Sequence, residues 1–399
     1  MAAHARHHGL PCRRLARLRR SAAHVHPDLR SRRRVKVRLT IKRRMYIVET
    51  TILGVALHLI GGFASGSFYI PYKKVRGWAW ESYWIAGGLV SWLIVPFVAA
   101  ELTVPGYLQI LRDADFGTLL WTYLFGVLWG IGGLTFGLTM RYLGLSLGMS
   151  IVLGLTSALG ALIPPLYRDL FTDAADGTLS AMLTSTGGYW VLFGVFVSLI
   201  GIGLCGRAGV MKEREVPDET KFASVSEFSL SKGALVALIS GVLSACFSYG
   251  ISAGQPLAEA AVAHGANPLF QNNVTFMVIM WGGLTTNALW CLWLNRRNGT
   301  YRDYTDRGTP LLRNYLLVAC AGTLWYLQFF FYGMGESRLH NDASSWVLHM
   351  SFIIIVSNCW GLYFREWQGT SQANRRVLLA GISVILLAIV NVGYGNYLN

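Results

Sequence analysis

The chain has 399 residues, of which 53% are hydrophobic and only 14% charged, with a formal net charge of +15 and a mean hydropathy of +0.42. Soluble domains carry roughly 25% charged residues, so this composition excludes an ordinary water-soluble domain and points to a chain embedded in lipid. The high charge is local: fifteen of the 35 Lys and Arg residues lie in residues 1–44, where Asp28 is the sole acid, and the remainder is close to neutral.

That first segment, with its run "RRLARLRRSAAHVHPDLRSRRRVKVRLTIKRR", lacks the apolar core of a secretory signal. Its composition fits a nucleic-acid arm, an anionic-lipid anchor, an organelle transit peptide, or sequence upstream of a true start at Met45. The last reading is the expectation adopted: residues 1–44 form a basic extension that is disordered or foreign to the native protein, and nucleic acid is not a partner.

Apolar segments then follow near 46–70, 82–104, 117–140, 145–167, 187–206, 232–253, 271–294, 311–334, 343–364 and 377–398. Each is about 20 residues or more, enough at about 1.5 Å per residue to cross a hydrocarbon layer of roughly 30 Å. None alternates with period two as barrel strands do, and lipid permits only helices or closed barrels. The expected fold class is an all-α integral membrane protein with ten transmembrane helices.

Gly126, Gly130, Gly133 and Gly137, then Gly144, Gly148, Gly154 and Gly160, recur at spacings that let helix backbones approach. Pro164 and Pro165 predict a break or an end in the fourth segment. The six cysteines form no CxxC pair and read as packing residues, with no metal or disulfide framework. Gly201, Gly203 and Gly206 spell GxGxxG, but at the end of an apolar segment with no strand before them, so they do not signal a dinucleotide. With no catalytic motif in sight, an enzyme is not expected, and neither is a cofactor.

One longer charged connection, residues 207–231, divides the chain into five-helix halves at 45–206 and 232–399, and is expected to be cytoplasmic. Repeats with an odd number of spans sit inverted in the bilayer, with a substrate site near the midplane between them. "GVLWGIGGLTFGLTMR" around Trp129 echoes "GTLWYLQFFFYGMGESR" around Trp325, each in the third span of its half. The architecture predicted is thus two inverted five-helix repeats, as in secondary transporters.

The stretches "HLIGGFASGSFYIPYKKVRGWAWESYW", "GLTMRYLGLSLGMSI", "LWYLQFFFYGMG" and "SSWVLHMSF" resemble the L-rhamnose/proton symporter family of the drug/metabolite transporter superfamily. The likeness runs from about Ile52 to Tyr397. It implies a multi-pass protein of the bacterial inner membrane that takes up a 6-deoxyhexose together with a proton. Other readings left open are a transporter of an amino acid, a drug or a nucleotide sugar, and a membrane sensor that moves nothing.

The chemistry of the chain is compatible with a monosaccharide and a proton as partners. Trp325, Gln328 and Tyr332 fall at i, i+3 and i+7 on one helix face, offering an amide for sugar hydroxyls and rings for the C–H side of a pyranose. Trp129 and Trp346 complete the candidate substrate-binding set. An alternative role for Gln328 is interhelical hydrogen bonding, typically worth about 0.6 to 2 kcal/mol. For the proton, His349 and His58 titrate near neutral pH without extreme tuning, and ionisable groups within a membrane are costly and usually functional. Glu81 is a third candidate, read first as an interfacial ion-pair partner of Lys73, Lys74 and Arg76. The alternative for all three is a satisfied structural hydrogen bond. Na⁺ in place of the proton, and the oligomeric state, stay open.

Loops after odd-numbered segments hold 17 Lys and Arg against 3 after even-numbered ones. The positive-inside rule therefore puts the odd loops in the cytoplasm and both ends of the bundle in the periplasm.

Overall fold

A computed structural model describes residues 27–143, 145–215 and 230–398, without the side chains of some positions inside these ranges. Residues 1–26 of the basic extension and 216–229 of the charged connection lie outside the described residues. The chain divides into two units, Met1–Glu49 and Thr50–Asn399. In the first, the described residues from Pro27 onward are helical; the packing and the site described below concern the second.

Among the described residues the structure is helical throughout, without strands. Among the described residues ten helices carry a stretch long and apolar enough to cross a membrane. They are α1 (Pro27–Ser67), α2 (Trp80–Thr103), α3 (Phe116–Leu143), α4 (Leu145–Phe171), α5 (Thr186–Glu215), α6 (Leu230–Ala253), α7 (Asn273–Asn298), α8 (Leu311–Leu339), α9 (Asp342–Tyr363) and α10 (Gln372–Leu398). A short helix that the sequence did not announce, Gln255–Ala263, follows α6.

Helix pairing follows from glycine. A side chain at Gly194 would meet Ala388 and Val392, one at Gly201 would meet Gly381 and Ile385, and one at Gly395 would meet Gly187 and Val191, so α5 and α10 run antiparallel with their backbones in contact. Gly201, the first glycine of the GxGxxG that mimics a nucleotide motif, is part of this seam, whereas Gly203 faces open space. Between α3 and α7 the close approach falls at Gly126, which faces the Ile279 carbonyl, and at Gly130, beside Gly283. Small residues at such crossings admit the backbone packing that holds helices together in lipid. Gly133 has open space instead, so its spacing alone did not make it a packing position.

Two helices carry irregularities with identifiable causes. In α2 the turn Val90–Ile94 widens, and Val95 N–H reaches back to the Val90 carbonyl. Pro96, which cannot donate and would crowd the carbonyl four residues earlier, follows directly. In α4 the predicted break at Pro164 and Pro165 does not occur: the helix runs on to Phe171. The physical reason is a substitute donor. Pro164 leaves the Gly160 carbonyl without its backbone partner, and Ser248 Oγ of α6 donates to it at 2.8 Å.

Pairs at the helix ends fix further directions. Glu81 at the start of α2 meets Asn298 at the end of α7, while Asn273 Nδ2 at the start of α7 donates to Thr103 Oγ1 at the end of α2, 2.7 Å away, so these helices are antiparallel. Arg168 late in α4 pairs with Asp342 at the start of α9, and Trp346 Nε1 donates to the Thr156 carbonyl at 2.9 Å, which makes α4 and α9 antiparallel too.

Candidate functional site

Where α1, α3, α6, α8 and α9 converge, the rings form one connected set. α8 delivers Trp325, Phe329 and Tyr332 to this face because positions three and four apart stack along one side of a helix. Trp325 meets Trp129 of α3 edge to face with ring centres 5.3 Å apart, and Trp129 in turn meets Phe247 of α6 at 5.0 Å. Phe247 stacks on Phe329 at 4.0 Å and lies nearly parallel to Trp346 of α9 at 6.4 Å. Offset and edge-on aromatic pairs each add about 0.5–1.5 kcal/mol beyond their burial, so the cluster is a firm platform.

The histidines close this set on one side. His58 of α1 and His349 of α9 lie with ring centres 6.2 Å apart, and Tyr332 stands edge-on to both at 5.2 Å. Close approach of α1 to α8 makes this possible: Gly61 packs on the Gln328 carbonyl and Gly335 packs on the His58 ring. His58 is 0% exposed and His349 2%. None of their four ring nitrogens has a hydrogen-bond partner among the described residues. A satisfied hydrogen bond, the structural alternative, is thus not formed by either histidine among the described residues. A buried unpaired donor or acceptor costs about 1–3 kcal/mol, and the two rings concentrate four such groups in one place.

Gln328 lies one turn from both Trp325 and Tyr332, buried at 5% exposure. Among the described residues its amide donates only to the Trp325 carbonyl of its own helix, at 2.9 Å. Among the described residues it bridges to no other helix, and its side-chain oxygen accepts no hydrogen bond. Trp346, by contrast, has its indole N–H engaged by Thr156, so it contributes a face and no donor.

Glu81 belongs elsewhere. Its carboxylate accepts hydrogen bonds from Asn298 Nδ2 and Thr300 Oγ1, both at 2.9 Å, in a network with Ser82, Asn295 and Tyr304. The expected ion pair with Lys73, Lys74 or Arg76 is not formed; Lys73 pairs with Glu366 at 3.1 Å. Neighbours in sequence misled here, because the start of α2 faces the end of α7 and not the basic loop before it. Glu81 is also the one proton candidate that the structure leaves out of the histidine cluster.

Sequence reasoning missed Glu336, one turn beyond Tyr332 on α8. Its carboxylate accepts from Asn272 Nδ2 at 2.6 Å, and the Arg168–Asp342 pair acts on it electrostatically. A signal was available, since i+4 from Tyr332 extends the same face.

A separate groove of about 620 Å³ lies against Ile85, Val90, Leu292 and Leu316. Its lining is almost wholly apolar, and the Tyr304 and Tyr315 hydroxyls beside it are engaged by Asn295 and by the Tyr304 carbonyl. It offers a sugar no hydrogen bonds.

Ten membrane-crossing helices with ionisable and aromatic groups converging inside the bundle define a polytopic membrane transporter. The profile of the L-rhamnose-proton symport protein (RhaT) family matches residues 47–397. The chain belongs to that family. It is similar to the L-rhamnose-proton symporter of Cronobacter sakazakii, with 40% identity over 86% of this chain and 97% of that one. The L-rhamnose-proton symporters of Salmonella typhi and Yersinia pestis are each 38% identical over 86% of this chain and 97% and 98% of theirs.

Proposed function

We propose that this protein imports L-rhamnose together with a proton by alternating access, with the sugar received at Gln328, Trp325, Tyr332, Trp129 and Trp346 and the proton carried by the His58–His349 pair. Family membership supports the reaction, and the observation that carries the site is the pair of buried imidazoles without protein partners, flanking Tyr332.

The chemistry is consistent at each step. An amide with a free oxygen can accept a sugar hydroxyl, and a site built on such a bond discriminates against analogues lacking it. Indole faces suit the apolar side of a pyranose. An imidazole nitrogen can take up a proton and give it back. One positive charge moving through 100 mV releases about 2.3 kcal/mol, which supports roughly 50-fold accumulation.

Inverted pairing of 45–206 with 232–399 is part of the proposal. Its support is the contact between Trp129 and Trp325, which occupy corresponding spans, and the antiparallel pairs α2 with α7, α4 with α9 and α5 with α10. We place the protein in the bacterial inner membrane with the odd loops cytoplasmic, on the distribution of Lys and Arg.

Purified protein in liposomes tests the reading. An imposed proton gradient drives L-rhamnose uptake, and rhamnose addition makes the outer medium more alkaline. Binding without flux, or flux indifferent to the gradient, would sink it.

A further inference from the structure

We propose that Glu336 is the proton-loading residue at the α8–α9 end of the bundle, taking a proton from the aqueous side and passing it to His58. This rests on the symport reading above and adds a residue to it.

The argument begins with placement. Glu336 is partly buried at the end of α8, one turn past Tyr332, and follows Gly335, against which the His58 ring packs. It thus sits near the end of α8, one residue from the backbone that packs on an imidazole with no hydrogen-bond partner on either nitrogen among the described residues.

The company it keeps is suited to a group that must exist in two forms. Its hydrogen-bond partner is Asn272, a neutral amide. That N–H donates equally to a carboxylate oxygen and to the carbonyl oxygen of a protonated acid, so the contact survives protonation. The nearby cation Arg168 is held by Asp342 of α9 and by the Gly177 carbonyl. A direct guanidinium partner would lock the carboxyl in its charged form; here that partner is taken. The other ionisable group coupled to it is Tyr332, one turn back on its own face, which in turn stands edge-on to His58 and His349. Arg338, two residues on, lies toward the opposite side of the helix.

Stepwise, the Glu336 carboxylate accepts a proton and becomes a neutral acid. Its O–H then transfers that proton to an imidazole nitrogen of His58, which becomes imidazolium while the carboxylate is regenerated. Since Asp342 opens α9 and Arg168 closes α4, separation of those helices frees the guanidinium beside Glu336 and couples access at this end to its protonation state.

Glu336→Gln is the decisive variant, because glutamine keeps an oxygen for the Asn272 donor but holds no titratable proton. In liposomes whose parent protein accumulates rhamnose, we expect E336Q to give an inside-to-outside ratio near one, to lose rhamnose-induced alkalinisation, and to keep sugar exchange between equal concentrations with a rate flat in pH. Glu336→Asp retains the acid and is expected to keep accumulating. Accumulation by E336Q, loss of exchange in it, or loss of accumulation in E336D overturns the assignment. A parent protein that does not couple sugar to protons would instead overturn the symport reading.

Discussion

His58 and His349, 291 positions apart in the chain, sit with ring centres 6.2 Å apart and share Tyr332 as a common neighbour. α1 and α9 reach this distance because Gly62 and Gly66 of α1 lie against Phe352 and Val356. Two imidazoles so close cannot both be charged cheaply, so the pair is suited to hold one proton at a time.

From that pairing we expect His349→Gln or His58→Gln to uncouple transport. Glutamine keeps hydrogen-bonding capacity but carries no proton. The accumulation ratio falls from roughly 50-fold at 100 mV to about one, while exchange of labelled for unlabelled sugar persists. If both variants concentrate sugar as the parent does, the coupling group lies outside the pair.

Gln328→Ala removes a side chain whose one hydrogen bond is to its own helix, so the fold loses little, about 0.5–1.5 kcal/mol. Rhamnose uptake is expected to fall by about tenfold or more, the equivalent of one lost substrate hydrogen bond. Uptake kinetics measured beside a thermal unfolding curve check this. Unchanged kinetics, or a collapse of stability with activity per folded molecule intact, would remove Gln328 from the site.

Ser248 tests the explanation for the unbroken α4. Ser248→Ala leaves the Gly160 carbonyl without its donor, a loss of about 1–3 kcal/mol. Adding Pro164→Ala supplies a backbone N–H for that same carbonyl and restores part of the stability, a coupling that a double-mutant cycle in detergent reads directly. Additive losses would mean that the hydroxyl does something else.

Outside the membrane span, Glu215 clasps Ser371 through both backbone N–H and hydroxyl, at 2.7 and 2.6 Å, and these bonds hold its carboxyl below the usual carboxylate range. A lowered folded-state value means that the contribution is present above the ordinary glutamate value and disappears as pH falls through the lowered one. Glu215→Gln is therefore expected to lower the melting temperature at pH 7 and to match the parent at strongly acidic pH. A difference independent of pH would refute the ionic origin of the clasp.

Much of the candidate site could be proposed from the sequence because its residues fall on single helix faces. Trp325, Gln328 and Tyr332 follow from spacing alone. Trp129 and Trp325 were paired by an internal echo, and their rings touch. What spacing cannot supply is which helix face meets which. Glu81 was assigned to basic neighbours a few positions away, yet its partners, Asn298 and Thr300, are more than 200 positions distant. Glu336 hid at a helix end whose charged run resembles a loop, and its significance depends on Asn272 and on the Arg168–Asp342 pair, all brought in by other helices. Pro164 and Pro165 misled for a related reason: the donor that rescues α4 resides on α6.

The α5–α10 seam has a consequence for how the protein is made. α5 closes the first half of the chain and α10 closes the second, so the glycine surface of α5 finds its partner only after the last span has been synthesised. Until then Gly194 and Gly201 present bare backbone to lipid or to a chaperoning helix. A chain truncated after α9 would keep every ring of the aromatic cluster and both histidines, yet it would lack the backbone contact that covers the glycine surface of α5.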